Sequence, residues 1–197
     1  MKEIYPQKLK LEDEIRIVAP AKSLSLLTTE NIDLSKRFLE KLGFKVTFSK
    51  NCNEDDIFNS SRINSRVEDL NDAFKDKNVK MILPVMGGFN SNQLLKYLDY
   101  DLIRKNPKII GGYSDITALQ NSIYAKTGLV TYSSPSFSNF AMKKGFDFSL
   151  EYFKKCLMDT KPFEIIDSKE WSNDAWYKDQ ENRKFTKNQC RYVINEG

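Results

Sequence analysis

A chain of 197 residues that is 40% hydrophobic and 29% charged has apolar side chain enough for one domain with an appendage, and is neither collagen-like nor intrinsically disordered. Histidine is absent, so these residues cannot build a Ser-His-Asp triad, a Cys-His dyad or a histidine-ligated metal site among themselves. Lys+Arg 31 against Asp+Glu 27 leaves a net charge of +4, spread along the chain without the concentrated basic face that nucleic-acid binding needs.

Short apolar runs alternate with amphipathic segments. Met1 to Pro6 lacks the long apolar core of a signal peptide. Ile15-Arg16-Ile17-Val18 reads as a first strand, closed by Ala19-Pro20. Thr28 and Thr29 are candidate caps for a helix with Ile32, Ser35, Leu39 and Leu42 on one face, and Gly43 stands where a left-handed C-cap stops it. Phe44 to Phe48 reads as a second strand. Ile63, Val67, Leu70 and Phe74 then recur at helical spacing, which predicts a helix over residues 62–75. Val79 to Val85 is a nearly continuous apolar run, of the kind buried on both faces of a parallel sheet. Gly87-Gly88 follows it. Asn90 or Ser91 caps a helix holding Leu94, Leu95 and Leu98, and Lys108 to Ile110 forms a fourth strand. After Gly111-Gly112-Tyr113-Ser114-Asp115 come a helix carrying Ile116, Leu119 and Ile123, a fifth strand from Leu129 to Tyr132, and a helix over residues 149–158.

This alternation predicts an α/β fold, with a mainly parallel sheet flanked by helices, over residues 1–160. From about Lys161 the period is lost. Residues 161–197 carry Trp171, Trp176 and many charges, and only Arg191 to Ile194 is strand-like. That stretch reads as a linker leading into a further domain. No run approaches the roughly 20 apolar residues of a membrane span. Cys52, Cys156 and Cys190, odd in number and widely spaced, read as reduced thiols. The expectation is a soluble cytoplasmic protein with no membrane or nucleic-acid partner.

Four of the eight glycines lie in the pairs Gly87-Gly88 and Gly111-Gly112, each just past a strand. Ligands of open α/β sheets bind at such carboxyl ends, where glycine lets backbone N–H groups approach. The pairs could equally be plain tight turns. Ser114, between strand and helix, could present its hydroxyl from a strained turn, with the helix N-terminus ready to stabilise an oxyanion. Ile116 stands where a nucleophile elbow usually has glycine, and the other reading makes Ser114 an ordinary helix cap with Asp115 in the first turn. Asp55-Asp56 and Asp99/Asp101 read as solvated charge rather than metal ligands. Trp171 and Trp176 are packing anchors or a flat surface for a ring-shaped ligand. Tyr132-Ser133-Ser134-Pro135 could supply hydroxyls to the same cleft.

Val85-Met86-Gly87-Gly88-Phe89-Asn90-Ser91-Asn92-Gln93-Leu94-Leu95, with Ile110-Gly111-Gly112-Tyr113-Ser114-Asp115-Ile116-Thr117-Ala118-Leu119, resembles the LD-carboxypeptidase family of serine peptidases. Asp13 to Pro20 and Thr127 to Tyr132 also fit, and the stretch from Trp171 to Trp176 is similar to the microcin C immunity branch. The resemblance implies an N-terminal α/β domain, a C-terminal domain and an active site at their junction. It implies hydrolysis of the bond between an L- and a D-residue in peptidoglycan tetrapeptides, or of a peptide–nucleotide antibiotic. Ser114 would be the nucleophile, and backbone N–H groups of Asp115 and of the Gly87-Gly88 turn would form the oxyanion hole. Trp171, Trp176, Asn90 and Ser133 would contact substrate. No metal or organic cofactor is implied.

The family's catalytic Glu and His lie beyond residue 197, which accounts for the missing histidine. The expectation is therefore a fragment that is inactive alone, self-associating or dimeric through an exposed apolar face. The alternative is a non-catalytic module that binds a peptide or nucleotide, with Ser114 only a cap.

Overall fold

The computed structural model describes residues 2–189. Its elements in chain order are β1 (Glu14–Val18), α1 (Thr29–Lys41), β2 (Lys45–Phe48), α2 (Ile63–Lys75), β3 (Val79–Pro84), α3 (Tyr100–Lys105), β4 (Ile109–Ile110), α4 (Ile116–Thr127), α5 (Asp147–Leu157), β5 (Glu170–Trp171) and β6 (Thr186–Lys187). Short 3-10 turns occupy Leu24–Leu26, Ser91–Leu94 and Phe137–Ala141. Strands β1 to β4 form one parallel sheet in the order β2-β1-β3-β4. This is the expected α/β architecture.

The sheet is covered on both sides, which explains the nearly continuous apolar run of β3. Met81, Leu83 and Ile17 face a cluster with Leu39 of α1, Phe137, Phe140 and Phe153 of α5. Ile82, Val79 and Ile110 face Leu70 and Phe74 of α2 and Leu119 and Ile123 of α4. Local signals set the helix ends. Thr28 accepts the Asn31 N–H at 3.2 Å, and Gly43 turns the chain at φ +94°, where a Cβ would lie 2.5 Å from the Leu11 side chain.

Three expectations need correction. The helix anticipated after Asn90 is only the turn Ser91–Leu94, and a separate helix, α3, begins at Asp99, whose carboxylate accepts the Leu102 N–H at 2.8 Å. The backbone N–H groups of Asn90 and Ser91 are drawn instead to the Asp115 carboxylate, at 3.1 and 3.0 Å. The anticipated fifth strand from Leu129 to Tyr132 is a single bridge, Ile4 with Leu129. Beyond it the Tyr132 N–H still bonds the Ile110 carbonyl at 3.1 Å, while the buried side chain of Gln120 takes the Tyr132 carbonyl at 2.7 Å. The tail was expected to be strand-like only at Arg191 to Ile194. That stretch lies outside the described residues, whereas Glu170–Trp171 pairs antiparallel with Thr186–Lys187.

Candidate active site

The loops after β1, β3 and β4 leave the same edge of a parallel sheet, so residues 19–23, 86–91 and 111–115 converge by topology. Ser114 stands at the joint between β4 and α4 with φ +61°, one of three non-glycine residues in the left-handed region among those described. A side chain with a Cβ pays roughly 1 kcal/mol or more for that conformation, so its surroundings must impose it. They do so through Gly112, itself at φ +115°. The Gly112 N–H donates to Ser134 Oγ at 3.0 Å, and its carbonyl accepts from Ser134 N at 3.0 Å and from Gln120 Nε2 at 3.1 Å. The Ser114 carbonyl accepts the Thr117 N–H at 3.0 Å, opening α4.

Asp115 links this turn to the one after β3. One of its carboxylate oxygens accepts both the Asn90 and the Ser91 N–H, and its carbonyl accepts Ser91 Oγ at 2.7 Å. With those bonds made, the carboxylate is a brace rather than a free base. The two glycines of the second turn are small for different reasons. A Cβ on Gly87 would sit 3.4 Å from Ser114 Oγ and 3.5 Å from the Asp115 nitrogen, inside the space the hydroxyl faces. One on Gly88 would press against Ala21 and Lys22, at 3.0 and 3.1 Å. The N–H groups of Gly87, Gly88 and Asp115 meet no protein acceptor among the described residues. Ser114 is exposed, and its hydroxyl makes no capping bond there. Chemically, this is a free hydroxyl beside unpaired N–H donors at a helix N-terminus.

The remaining candidates divide. A concavity of about 1160 Å³ lies beside this edge, walled by Tyr113, Tyr132, Ser133, Trp171, Arg183 and Phe185 among others. Ser114 and Gly87 are not in its wall; Tyr113, half exposed between them, is the shared border. Trp171 and Ser133 therefore share one surface. Trp176 does not join them and packs edge-on against Tyr177, ring centroids 6.0 Å apart. Asn90 serves through its backbone, while its side-chain oxygen is buried without a partner. Asp56 and Asp99 are spent on local N–H groups, those of Phe58, Ser60 and Leu102.

Two supporting residues escaped the sequence reading. Arg66, 3% exposed, spans the edge from below by donating to the carbonyls of Pro20 and Asn90 and to Gln93 Oε1 at 2.7 Å. Burial lowers its pKa, with Asp56 and Asp115 opposing the shift. Gln120 is the other. Each is a polar residue inside an apolar helical stripe, a signal the sequence does contain.

Comparison with known proteins agrees with this fold. The profile of the LD-carboxypeptidase N-terminal domain matches residues 15–134. YocD of Bacillus subtilis (strain 168), which is named as a carboxypeptidase, is 58% identical over 194 residues, covering 98% of this chain and 60% of its own. The crystal structure of an MccF-like protein from Bacillus anthracis str. Ames superposes with a TM-score of 0.93 at 59% identity, over 94% of this chain and 56% of that one. The microcin C7 self-immunity protein MccF, in complex with aspartyl sulfamoyl adenosine, superposes with a TM-score of 0.87 at 32% identity, over 95% and 58% of the two chains. The chain thus spans 60% or less of the length of these relatives.

Proposed function

Because the chain belongs to the LD-carboxypeptidase family, we propose that it is the nucleophile-bearing α/β part of a serine carboxypeptidase acting on a small peptide or peptide–nucleotide. One observation carries this reading: Ser114 is held in a left-handed conformation that leaves its hydroxyl unbonded opposite the Gly87 turn. In the proposed reaction Ser114 Oγ adds to the scissile carbonyl as its proton passes to a base. The N–H groups of Asp115 and Gly87 or Gly88 hold the oxyanion, and the C–N bond breaks as the amine takes a proton. Water then hydrolyses the acyl-enzyme.

The base is not in these residues. They contain no histidine, and the Asp115 carboxylate is already engaged by two N–H groups. On this reading the proton acceptor and its carboxylate partner come from further sequence of the family's length, and the 197 residues alone are catalytically silent. Residues 1–160 form the nucleophile domain and residues 161–197 the start of the next. In support, the 161–189 stretch is mostly exposed and its strands are two residues long. Trp171 and Ser133 contact the substrate from the wall of the large concavity; a relative binding aspartyl sulfamoyl adenosine favours a nucleotide-bearing ligand there.

Phe163, Ile165 and Ile166, 38%, 77% and 55% exposed, support self-association. The free thiols Cys52 and Cys156 support a reducing, cytoplasmic setting, and no helix among the described residues is long and apolar enough to cross a membrane.

The test is hydrolysis of an L,D-tetrapeptide and of a peptidyl-sulfamoyl nucleoside by the full-length protein and its Ser114→Ala variant. Activity in the first that vanishes in the second is expected; equal activity in both would remove Ser114 from the chemistry. The absent histidine also favours a second reading, a non-catalytic peptide or nucleotide binder. It predicts binding without turnover in the full-length protein.

A further inference from the structure

The large concavity takes its walls from two parts of the chain, the α/β body through residues 139–157 and the stretch after residue 161. Two attachments join them. At the near end, the Tyr152 hydroxyl donates to the Glu164 carbonyl at 3.2 Å and accepts the Ile166 N–H at 2.8 Å. At the far end, residues 180–185 lie along residues 141–145. The Gln180 side chain accepts the Lys143 N–H at 2.7 Å and donates to the Ala141 carbonyl at 3.0 Å. Lys144 Nζ donates to the Glu181 carbonyl at 2.9 Å, and Arg183 Nη1 donates to the Lys144 carbonyl. The Glu181 carboxylate also stands 3.7 and 3.4 Å from the ammonium groups of Lys143 and Lys144, but such exposed ion pairs contribute little.

The close fit in this clasp is Phe185 on Gly145. Gly145 has φ +71°, and a Cβ there would lie 2.8 Å from Phe185 Cζ and closer still to Cε1. Only glycine lets a ring rest so near the backbone. The Arg183 guanidinium lies 4.9 Å from the centre of the same ring. Phe185 is followed directly by Thr186, and Thr186 is the residue that pairs with Trp171 between β6 and β5. Pushing Phe185 off Gly145 would therefore shift β6, and Trp171 with it. Gly145, Phe185 and Trp171 all line the concavity. We infer that Gly145 and Phe185 are positioning residues that hold Trp171 against a ring-bearing ligand, and so set a preference for a peptide–nucleotide over a plain peptide. The inference rests on the reading of Trp171 as a substrate contact and adds what places it.

The test uses the full-length protein in a Ser114→Ala background, so that binding is read without turnover. The probes are aspartyl sulfamoyl adenosine and an L,D-tetrapeptide, titrated by calorimetry. Stacking on one base is worth about fivefold in affinity or more, so Trp171→Ala should weaken the nucleoside by at least that factor. Phe185→Ala and Gly145→Ala should match this loss while leaving tetrapeptide affinity unchanged. Phe185→Leu, which keeps an apolar side chain over Gly145, should fall between the parent and Phe185→Ala. A clasp that only stiffened the fold would weaken both probes alike, and that result overturns the inference. So does a loss in Trp171→Ala that Phe185→Ala does not share. If Trp171→Ala binds the nucleoside as the parent does, or the parent does not bind it, the substrate reading of Trp171 falls and the inference falls with it.

Discussion

The edge around Ser114 and the stretch from residue 161 to residue 189 carry the residues proposed for chemistry and for substrate contact, yet they are held by opposite means. At the edge, three loops are cross-braced by buried polar groups: Asp115 to Asn90 and Ser91, Gln120 to Gly112 and Tyr132, and Arg66 to Pro20 and Asn90. The later stretch rests on two-residue strands, exposed side chains and contacts at the surface, such as Gln180 with Ala141 and Lys143. Strain can be stored only where many bonds oppose its release, and the positive φ of Ser114 is found in the braced region.

The sharpest way to break this contrast is Ser114→Gly. Loss of the hydroxyl should reduce hydrolysis by the full-length protein on the order of 10⁶-fold, while relief of the left-handed strain should raise stability by about 1 kcal/mol. Activity lost without any gain in urea resistance would mean the conformation is not strained. Gly87→Ala comes next. Its methyl would occupy the space before Ser114 Oγ and the Asp115 N–H, so kcat should fall about 10²–10³-fold with little change in melting temperature. A kcat within a factor of two of the parent would place the oxyanion elsewhere.

Lys108, 7% exposed just before β4, probes instead the opposite end of the sheet, where its ammonium donates to the Asp76 and Val79 carbonyls. Burial, helped by the Lys80 charge, pushes its ammonium down to about 8 from 10.5. Between those values the unfolded chain holds a proton that the folded one has released, so stability attributable to this group rises with pH across that window. Below 8 the full cost of burying the charge remains, and above 10.5 it is gone. Lys108→Met should flatten this rise in urea unfolding at successive pH values; parallel curves for parent and variant would contradict it. The smallest effect on stability is expected at Trp171, half exposed in β5, where Trp171→Ala should cost within about 0.5 kcal/mol. The same change should raise KM for a peptide–nucleotide several-fold, and an unchanged KM would detach the loose stretch from substrate.

Elements whose signal is local were legible. Thr28 and Gly43 bound α1, and the apolar runs of β1 and β3 lie where their sequence puts them. The errors came where a distant partner claimed a backbone group. Asn90 and Ser91 look like helix caps until Asp115 takes their N–H groups, and in the strand-like run from Leu129 to Tyr132 the last carbonyl goes to the Gln120 side chain. At the site, the residue types and their strand-end location could be read from the chain, but whether Trp171 and Trp176 act together could not. Five residues apart, they face different surroundings.

The sequence by itself determined the βα alternation, the glycine pairs and the lack of histidine, because periodicity, turn chemistry and composition are properties of neighbouring residues or of the chain as a whole. Only the tertiary structure decided that Ser114 adopts a left-handed conformation and that Gly87 faces its hydroxyl. It alone also showed that Asp115 is a brace. Those facts depend on which loops a parallel sheet delivers to one edge, and chain segments far apart in sequence meet there only once the core has closed.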